Sequence, residues 1–269
     1  MCRASATDPT ACAATRLCLN VWDVAVKHEA ASRGGGTWLC ALKPGDPVEA
    51  SMPRCTFPIA TGAAAHVMVA GGIGVTPFLA MAHELERRGA EWSLHVLYRG
   101  EPPCPGELAQ WRGAGHVTLH DTARHMRPGW DQLLGQPGEG RHAYCCGPTP
   151  MLEAFERATV AWPPGTVHVE YFVPPPAIPS ADAKSYTVRR AATGAEIAVP
   201  AGGSLLAALR ALVATVDASC EGGICGACEV AWSEGEPIHR DRVLSPERRR
   251  THLMACVAQC ASARLTVDV

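Results

Sequence analysis

Short apolar runs alternate with polar, helix-forming stretches through the middle of the chain. The first run, residues 66–70, leads into a glycine-rich turn and an amphipathic segment, 78–88, that stops at Gly89. This order predicts a strand, a tight turn and a helix. Four further runs have the length and composition of strands, at 92–98, 116–120, 142–146 and 167–172. The intervals between them are long enough for crossover helices, so the pattern predicts an α/β domain with a parallel sheet.

A different pattern occupies the last third of the chain. Apolar and polar residues alternate on both sides of a Thr193-Gly194 turn, and Ser204 then precedes an apolar helical run. Later, Ser245 and Pro246 form the start signal of a short helix. The predicted strands of this part are 186–189, 196–199, 229–232 and 264–269. Strand, strand, helix, loop and strand in this order predict an α+β domain of the β-grasp type.

Composition and charge exclude several function classes. The 269 residues include 24 Lys and Arg and 26 Asp and Glu, and no basic tract stands out, so nucleic acid is not expected as a partner. Residues 61–82 carry no charge, but glycines and Pro77 interrupt them, so no membrane partner is expected either. Residues 1–15 lack a basic start and an apolar run. The expected location is therefore the cytoplasm.

The C-terminal cysteines carry the strongest chemical signal. Cys220, Cys225 and Cys228 are separated by four and then by two residues, and another cysteine, Cys256, follows much later. This spacing is that of a plant-type [2Fe-2S] cluster. A tight loop must aim three sulfurs inward, and the glycines of the loop permit this because they adopt positive φ and let backbone N–H groups approach the sulfurs.

Two alternatives remain open from the residues alone. A zinc site is the first, but zinc prefers two short Cys-x2-Cys arms and this chain has one. The second concerns the fourth ligand, because Cys260 lies close to Cys256 in the sequence and has the same chemistry. The spacing therefore predicts the cluster and three of its ligands.

Two glycine-containing turns follow predicted strands of the α/β domain. The first holds Gly71, Gly72 and Gly74 ahead of Thr76, and the second reads Cys146-Gly147-Pro148. Open α/β sheets bind ligands at the carboxyl ends of their strands, and a helix start after such a turn offers N–H groups to a pyrophosphate. The turns are expected to face one crevice that binds a dinucleotide. As alternatives, a glycine turn can serve packing alone, and Cys146 can be an ordinary buried thiol.

The order of the motifs GGIGVTPF, YCCGPTPM, HVEYF, SCEGGICGAC, HRDRVLSPER and CVAQCASARL resembles the phthalate dioxygenase reductase family, which includes vanillate demethylase reductases. The resemblance covers residues 22–269. It implies the NAD(P)H-dependent reductase component of a Rieske-type aromatic ring-hydroxylating or demethylating oxygenase. Electrons would pass from NADH through FMN to the [2Fe-2S] cluster and on to the terminal oxygenase component. The implied segments are a partial flavin-binding barrel (1–60), an NAD-binding domain (61–173), a proline-rich linker (174–183) and a ferredoxin domain (184–269).

The resemblance also implies roles for individual residues. Cys256, in the final CV motif, becomes the fourth ligand of the cluster. Cys146 would lie beside the nicotinamide, and Glu170 and Phe172 match the strand end near the flavin ring. The remaining implied contacts are those with the NADH phosphates and nicotinamide (Gly71, Gly72, Gly74, Thr76, Gly147 and Pro148) and those in the barrel segment that matches the family's flavin-binding part (Lys27, Gly34 and Gly35).

The N-terminus departs from the family. Members begin with further barrel strands and an R-x-Y-S-L-x-N segment that holds FMN, whereas residues 15–20 here read TRLCLN. Residues 1–20 are therefore expected to be a truncated or frame-shifted start. The departure leaves a second function open, an electron-transfer protein without flavin whose cluster is reduced by another chain. The choice of NADH rather than NADPH as the electron donor rests on the resemblance alone.

Overall fold

The computed structural model describes residues 2–6, 22–27, 34–50, 55–173, 184–212 and 216–269, with residues 2–6 and Trp22 as backbone only. It divides into two compact units, Met1–Phe172 and Val173–Val269. The predicted linker 174–183 and the barrel segment at 15–20 lie outside the described residues. Within the described ranges, no helix combines the length and the apolar character that crossing a membrane requires.

The first unit begins with a small antiparallel sheet. Strand β1 (Cys2–Ala6) pairs with β2 (Trp22–Val26) in a register that joins Cys2 to Val26. A short helix, α1 (Gly35–Ala41), follows and has no buried residue. These elements belong to the segment, residues 1–60, that the resemblance assigns to a partial barrel.

The main sheet of the first unit is parallel, which confirms the prediction. Its strands are β3 (Ala65–Gly71), β4 (Glu91–Tyr98), β5 (Val117–Asp121), β6 (Arg141–Cys146) and β7 (Val167–Glu170). Their spatial order is β5-β4-β3-β6-β7, and every neighbouring pair runs parallel. The last strand ends at Glu170, two residues earlier than the apolar pattern predicts, because its partner β6 ends at Cys146, which pairs with Glu170. Phe172, beyond this end, is 46% exposed.

Crossover helices join these strands, as a parallel sheet requires. They are α2 (Thr76–Arg88), α3 (Pro105–Gly113), α4 (Trp130–Leu134) and α5 (Thr149–Ala158). Helix α2 ends at Gly89, whose φ of 63° is left-handed and whose N–H bonds the carbonyls of Leu85 and Glu86. The central strand β3 is buried on both faces, and α2 packs Phe78 into the core on one of them.

The second unit has the predicted β-grasp layout. Its elements are β8 (Tyr186–Arg190), β9 (Glu196–Val199), α6 (Leu205–Leu212), β10 (Glu229–Glu234), β11 (Pro237–Ile238), α7 (Pro246–Arg249), β12 (His252–Met254), β13 (Gln259–Cys260) and β14 (Arg264–Asp268). The main sheet has the order β12-β10-β14-β8-β9, with one parallel pair, β14 and β8. A separate pair joins β11 to β13.

Both predicted helix caps of this unit are present. The Ser204 hydroxyl accepts a hydrogen bond from Ala207 N at 3.2 Å, and Ser245 accepts one from Arg248 N, also at 3.2 Å. Side-chain caps of this kind stabilise a helix start by about 1 kcal/mol. The capped helix α6 buries Leu205 and Leu209 completely against the sheet. The buried face of α6 therefore fixes the helix against the sheet.

Candidate functional sites

Strand pairing brings the distant cysteine to the loop. Glu229, directly after Cys228, pairs with Met254, two residues before Cys256. Because β10 and β12 are antiparallel, the two cysteines emerge at the same end of the sheet, and their thiols hydrogen-bond to each other. The thiols of Cys220 and Cys225 form a second hydrogen-bonded pair within the loop.

The loop backbone is shaped around the sulfurs. The N–H groups of Gly222 and Ile224 point at the Cys220 sulfur from 3.4 and 3.5 Å. Gly223 has a φ of +71°, and a Cβ there would lie 2.8 Å from Val257 Cγ2 and 3.0 Å from Asp241 Cα. A side chain at this position would meet both a strained backbone and occupied space. The loop geometry thus depends on this glycine.

Two of the four thiols, those of Cys220 and Cys228, have lowered pKa values, which favours their thiolates. Burial raises the pKa of Cys220, but hydrogen bonds from the Gly222 and Ile224 N–H groups outweigh it and the pKa is lowered. The hydrogen bond from the Cys256 thiol lowers the pKa of Cys228 to about 7, and the same shared proton raises the pKa of Cys256. Among the described residues no three His, Cys, Asp or Glu side chains converge on the position of one metal ion. Four soft thiols in two pairs fit a group with two irons.

Cys260, the alternative fourth ligand, lies outside the cysteine loop. Cys260 is buried in β13, where its sulfur is 3.2 Å from the Ser262 hydroxyl and 3.6 Å from the Arg264 carbonyl. Neither partner belongs to the cysteine loop. The geometry therefore separates Cys260 from the two thiol pairs.

A buried carboxylate in the HRDRVLSPER motif supports the loop. The Asp241 side chain is fully buried and accepts hydrogen bonds from Val243 N at 3.2 Å and Leu244 N at 2.9 Å. Arg249 lies 3.4 Å from the same oxygen, and Arg242 N donates to the Gly223 carbonyl at 3.0 Å. This turn therefore clamps the cysteine loop through the backbone of Gly223.

The two glycine turns of the first unit lie side by side, because β3 and β6 are neighbours in the sheet. A Cβ on Gly74 would lie 2.3 Å from the Cys146 carbonyl oxygen, and one on Gly71 would lie 2.7 Å from Pro148 Cδ and 3.2 Å from Gly147 Cα. Gly72 has a φ of +55° and open space around it. It begins a 3₁₀ turn, Gly72–Val75, that leads directly into α2.

The start of α2 faces a cavity of about 810 Å³. Three predicted site residues line this cavity, namely Thr76, Glu170 and Phe172. Burial raises the pKa of the Glu170 carboxyl to about 7 and raises that of the neighbouring Cys146 thiol as well. The remaining lining residues were not predicted, and they are Asp23, Val24, Ala25, Pro77, Leu79, His83, Cys104, Gly106, Glu107 and Gln110.

Some predicted residues do not reach the cavity. Lys27 follows β2 at the surface, and Gly34 and Gly35 begin α1, where the Gly34 carbonyl accepts a hydrogen bond from Trp38 N. None of the three lines the cavity. Cys104 does line it, and its φ of +47° is unusual for a residue with a side chain. No motif in the sequence indicated this cysteine.

The sequence analysis also did not predict a histidine cluster on the same sheet. His142 Nδ1 lies 2.9 Å from His168 Nε2, and His66 Nδ1 lies 3.2 Å from the Tyr144 hydroxyl. Burial is the main cause that lowers the pKa of His66 and of His168 to about 4. These side chains come from three adjacent strands, so only the sheet order reveals them as a group.

Comparison with known proteins gives matches over nearly the whole chain. The family model for the 2Fe-2S iron-sulfur cluster binding domain matches residues 188–261. The phenoxybenzoate dioxygenase subunit beta of Ectopseudomonas oleovorans is 39% identical over 91% of this chain and 78% of its own length. The phthalate dioxygenase reductase of Burkholderia cepacia is 34% identical over 93% of this chain and 79% of its own length.

Solved structures agree with these matches. A phthalate dioxygenase reductase described as transferring electrons from pyridine nucleotides to [2Fe-2S] has a TM-score of 0.61 at 34% identity, covering 93% of this chain and 80% of that one. An intact type IV self-sufficient cytochrome P450 monooxygenase has a TM-score of 0.82 at 32% identity. That match covers 94% of this chain and 34% of the longer protein.

Proposed function

Because the chain belongs to the phthalate dioxygenase reductase family, we propose that it is the reductase component of a two-component oxygenase of the Rieske type. In this role it takes electrons from NADH and passes them through FMN and a [2Fe-2S] cluster to a separate terminal oxygenase. The observation that carries the proposal is the pairing of four thiols, Cys220 with Cys225 and Cys228 with Cys256. The same chain also has the glycine turn that follows the parallel strand β3.

In the cluster site, each thiol pair would hold one iron. Cys220 and Cys225 form one pair, and Cys228 and Cys256 form the other. The N–H groups aimed at Cys220 stabilise negative charge on its sulfur and so favour the reduced cluster. Cys260 is not part of this proposal, because its sulfur bonds to Ser262 and Arg264 instead.

For NADH, the proposed contacts lie at the carboxyl ends of β3 and β6. Gly72, which has open space around it, and the α2 start at Thr76 offer N–H groups to the pyrophosphate. The packing of Gly74 and Gly71 against the second turn holds Cys146, Gly147 and Pro148 close to the first. The nicotinamide would therefore lie beside Cys146.

The cavity suits a flavin ring next to the nicotinamide. Its volume of about 810 Å³ lies within the range of cofactor sites, and an aromatic side chain, Phe172, lines it. Glu170 places a carboxyl with a pKa of about 7 there, so a proton can be held at its oxygens near neutral pH. Lys27, Gly34 and Gly35 remain proposed contacts in the flavin-binding segment, outside this cavity.

When bound, FMN accepts two electrons as a hydride from NADH, and the cluster then carries them onward one at a time. The residues of the chain bind and orient these groups. The segments that would do so are the partial flavin barrel (1–60), the NAD-binding domain (61–173), the linker (174–183) and the ferredoxin domain (184–269). We further propose a cytoplasmic location, with NADH and the oxygenase as partners and no role for nucleic acid or membrane.

The proposal is tested by anaerobic titration of the purified full chain with NADH. We expect flavin and cluster absorbance bands before the titration, loss of both on addition of NADH, and an EPR signal from the reduced cluster. The Cys228→Ser variant is the control and should keep the flavin response while losing the cluster bands. Cluster bands that NADH leaves unchanged would contradict the proposal and favour the second candidate, a chain reduced by another protein.

A further inference from the structure

Arginine is concentrated in one stretch of the second unit. Residues 240–250, here called the arginine segment, contain five arginines and two carboxylates. Over the whole chain the formal charge is nearly balanced, with 24 Lys and Arg against 26 Asp and Glu. The positive charge of this stretch therefore stands apart from the rest.

The arginine segment is attached to the cysteine loop on two sides. Arg242 N donates to the Gly223 carbonyl at 3.0 Å, inside the loop. At the other end of the segment, Arg248 lies 2.6 Å from Glu229, the residue directly after Cys228. The segment thus follows the loop from its glycine turn to its last cysteine, and positive charge lies along the rim of the thiol site.

Part of this charge has a structural role. The buried carboxylate of Asp241 faces Arg249, and Glu229 pairs with Arg248. The side chains of Arg242 and Arg250 are exposed at the surface, and the backbone N–H group of each residue bonds within the fold. Substitution of these two side chains therefore leaves the clamp on Gly223 in place.

The thiols themselves lie near the surface. Cys220, Cys225 and Cys256 are partly exposed, while Cys228 is buried. An electron can leave such a site only toward a partner that approaches this rim closely. The rim carries arginine, whose planar guanidinium group binds carboxylates with two parallel hydrogen bonds and is enriched at protein interfaces.

We propose that the arginine segment is the docking surface for the electron-accepting protein, and that this partner presents an acidic face around its own redox centre. The inference rests on the proposed function, because it requires a cluster that delivers electrons to another protein. Complementary charge would steer the partner to the rim and raise the association rate. Because the charges are exposed, the effect weakens once salt shortens the screening length to about 8 Å near 0.15 M.

The test uses one haem protein in two charge states. Cytochrome c is basic, and its succinylated form carries carboxylates in place of the lysine charges. The full chain is reduced with one electron equivalent of dithionite per cluster without oxygen, and reoxidation of the cluster is followed by stopped flow. We expect the succinylated form to react about tenfold faster at low salt, with a rate that falls as salt is added.

The test variant is Arg242→Glu with Arg250→Glu, and we expect it to abolish or reverse this preference. Its matched control, Lys184→Glu with Arg264→Glu, makes the same change of charge in the same unit. Arg264 begins β14 beside the far end of β10, away from Cys228, and both control side chains are exposed. The control should keep the preference of the unsubstituted chain.

Three results would overturn the docking surface. They are a faster reaction with unmodified cytochrome c, an unchanged preference in the Arg242 and Arg250 variant, and an equal loss of preference in the Lys184 and Arg264 control. Each requires protein with intact cluster bands, so the proposed function survives them. Protein without a cluster would overturn the proposed function, and this inference with it.

Discussion

Substitution of Gly74 by alanine tests how the two glycine turns hold each other. The added Cβ would lie 2.3 Å from the Cys146 carbonyl oxygen, 2.6 Å from its carbonyl carbon and 2.9 Å from Gly147 N. Ordinary contact begins near 3.4 Å, so the end of β6 would have to withdraw by about 1 Å, the difference between 3.4 and 2.3 Å. All three atoms belong to backbone, and no side chain can rotate away to make room.

The expected loss in the free energy of unfolding follows from this rigidity. Overpacking of an interior costs about 1 to 3 kcal/mol, and we expect the upper end because a sheet strand must move. For a unit of this size, about 3 kcal/mol corresponds to a fall in Tm of roughly 6 to 12 °C. Gly72→Ala is the matched control, since a Cβ there meets open space and only the strain of φ +55° counts, which costs about 1 kcal/mol.

The assay is thermal and urea unfolding of the first unit followed by tryptophan fluorescence, together with the KM for NADH. We expect Gly74→Ala to lower Tm and to raise KM by more than tenfold, and the cluster absorbance to persist because the cysteines belong to the other unit. The control should lose stability only slightly. It is a control for stability alone, because Gly72 is itself a proposed contact of the NADH pyrophosphate. Equal Tm values for Gly74→Ala and the unsubstituted chain would refute the argument from packing.

Three further predictions concern other parts of the chain. Cys256→Ser should lose the cluster bands while Cys260→Ser keeps them, as measured by absorbance and iron content; the reverse would identify Cys260 as the ligand. The pKa values of His66 and His168, about 4 when folded against about 6.5 when unfolded, make their contribution to the stability of the first unit largest above pH 6.5 and progressively smaller down to pH 4, and the two together outweigh the opposite effect of Glu170, whose pKa is raised to about 7. For the buried His66 this amounts to at most about 3 kcal/mol, and a urea midpoint equal at pH 7 and pH 4.5 would contradict it. Asp241→Ala should destabilise the second unit by about 2 to 3 kcal/mol and release iron, whereas Asp241→Asn, which keeps an oxygen for the turn, should lose less.

Local signals in the sequence predicted most of the fold. The apolar runs of the parallel sheet, the stop at Gly89 and the caps at Ser204 and Ser245 each depend on neighbouring residues, and the structure confirms them. The short strands β11, β12 and β13 were not predicted, since two or three residues give no readable periodicity. Their positions are set by partners far away in the sequence.

The candidate sites likewise contain residues that a local sequence signal predicts and residues that only distant contacts reveal. The cysteine spacing is a local pattern, and three of the four proposed ligands follow from it alone. The support from Asp241 and the strained Cys104 in the cavity depend on packing between segments far apart in the sequence. Lys27, Gly34 and Gly35 were inferred from resemblance, and no local physical signal indicated where the fold would place them.

The pairing of β10 with β12 affects how well the protein resists proteolysis in a cell. Strand β12 is three residues long and lies at the edge of its sheet, with Cys256 two residues beyond its end. Iron bound between Cys228 and Cys256 would fasten this edge, and ligation that joins separate segments contributes directly to folding. In iron-starved cells the same edge would fray and be open to proteases. The abundance of the reductase would then follow the iron supply.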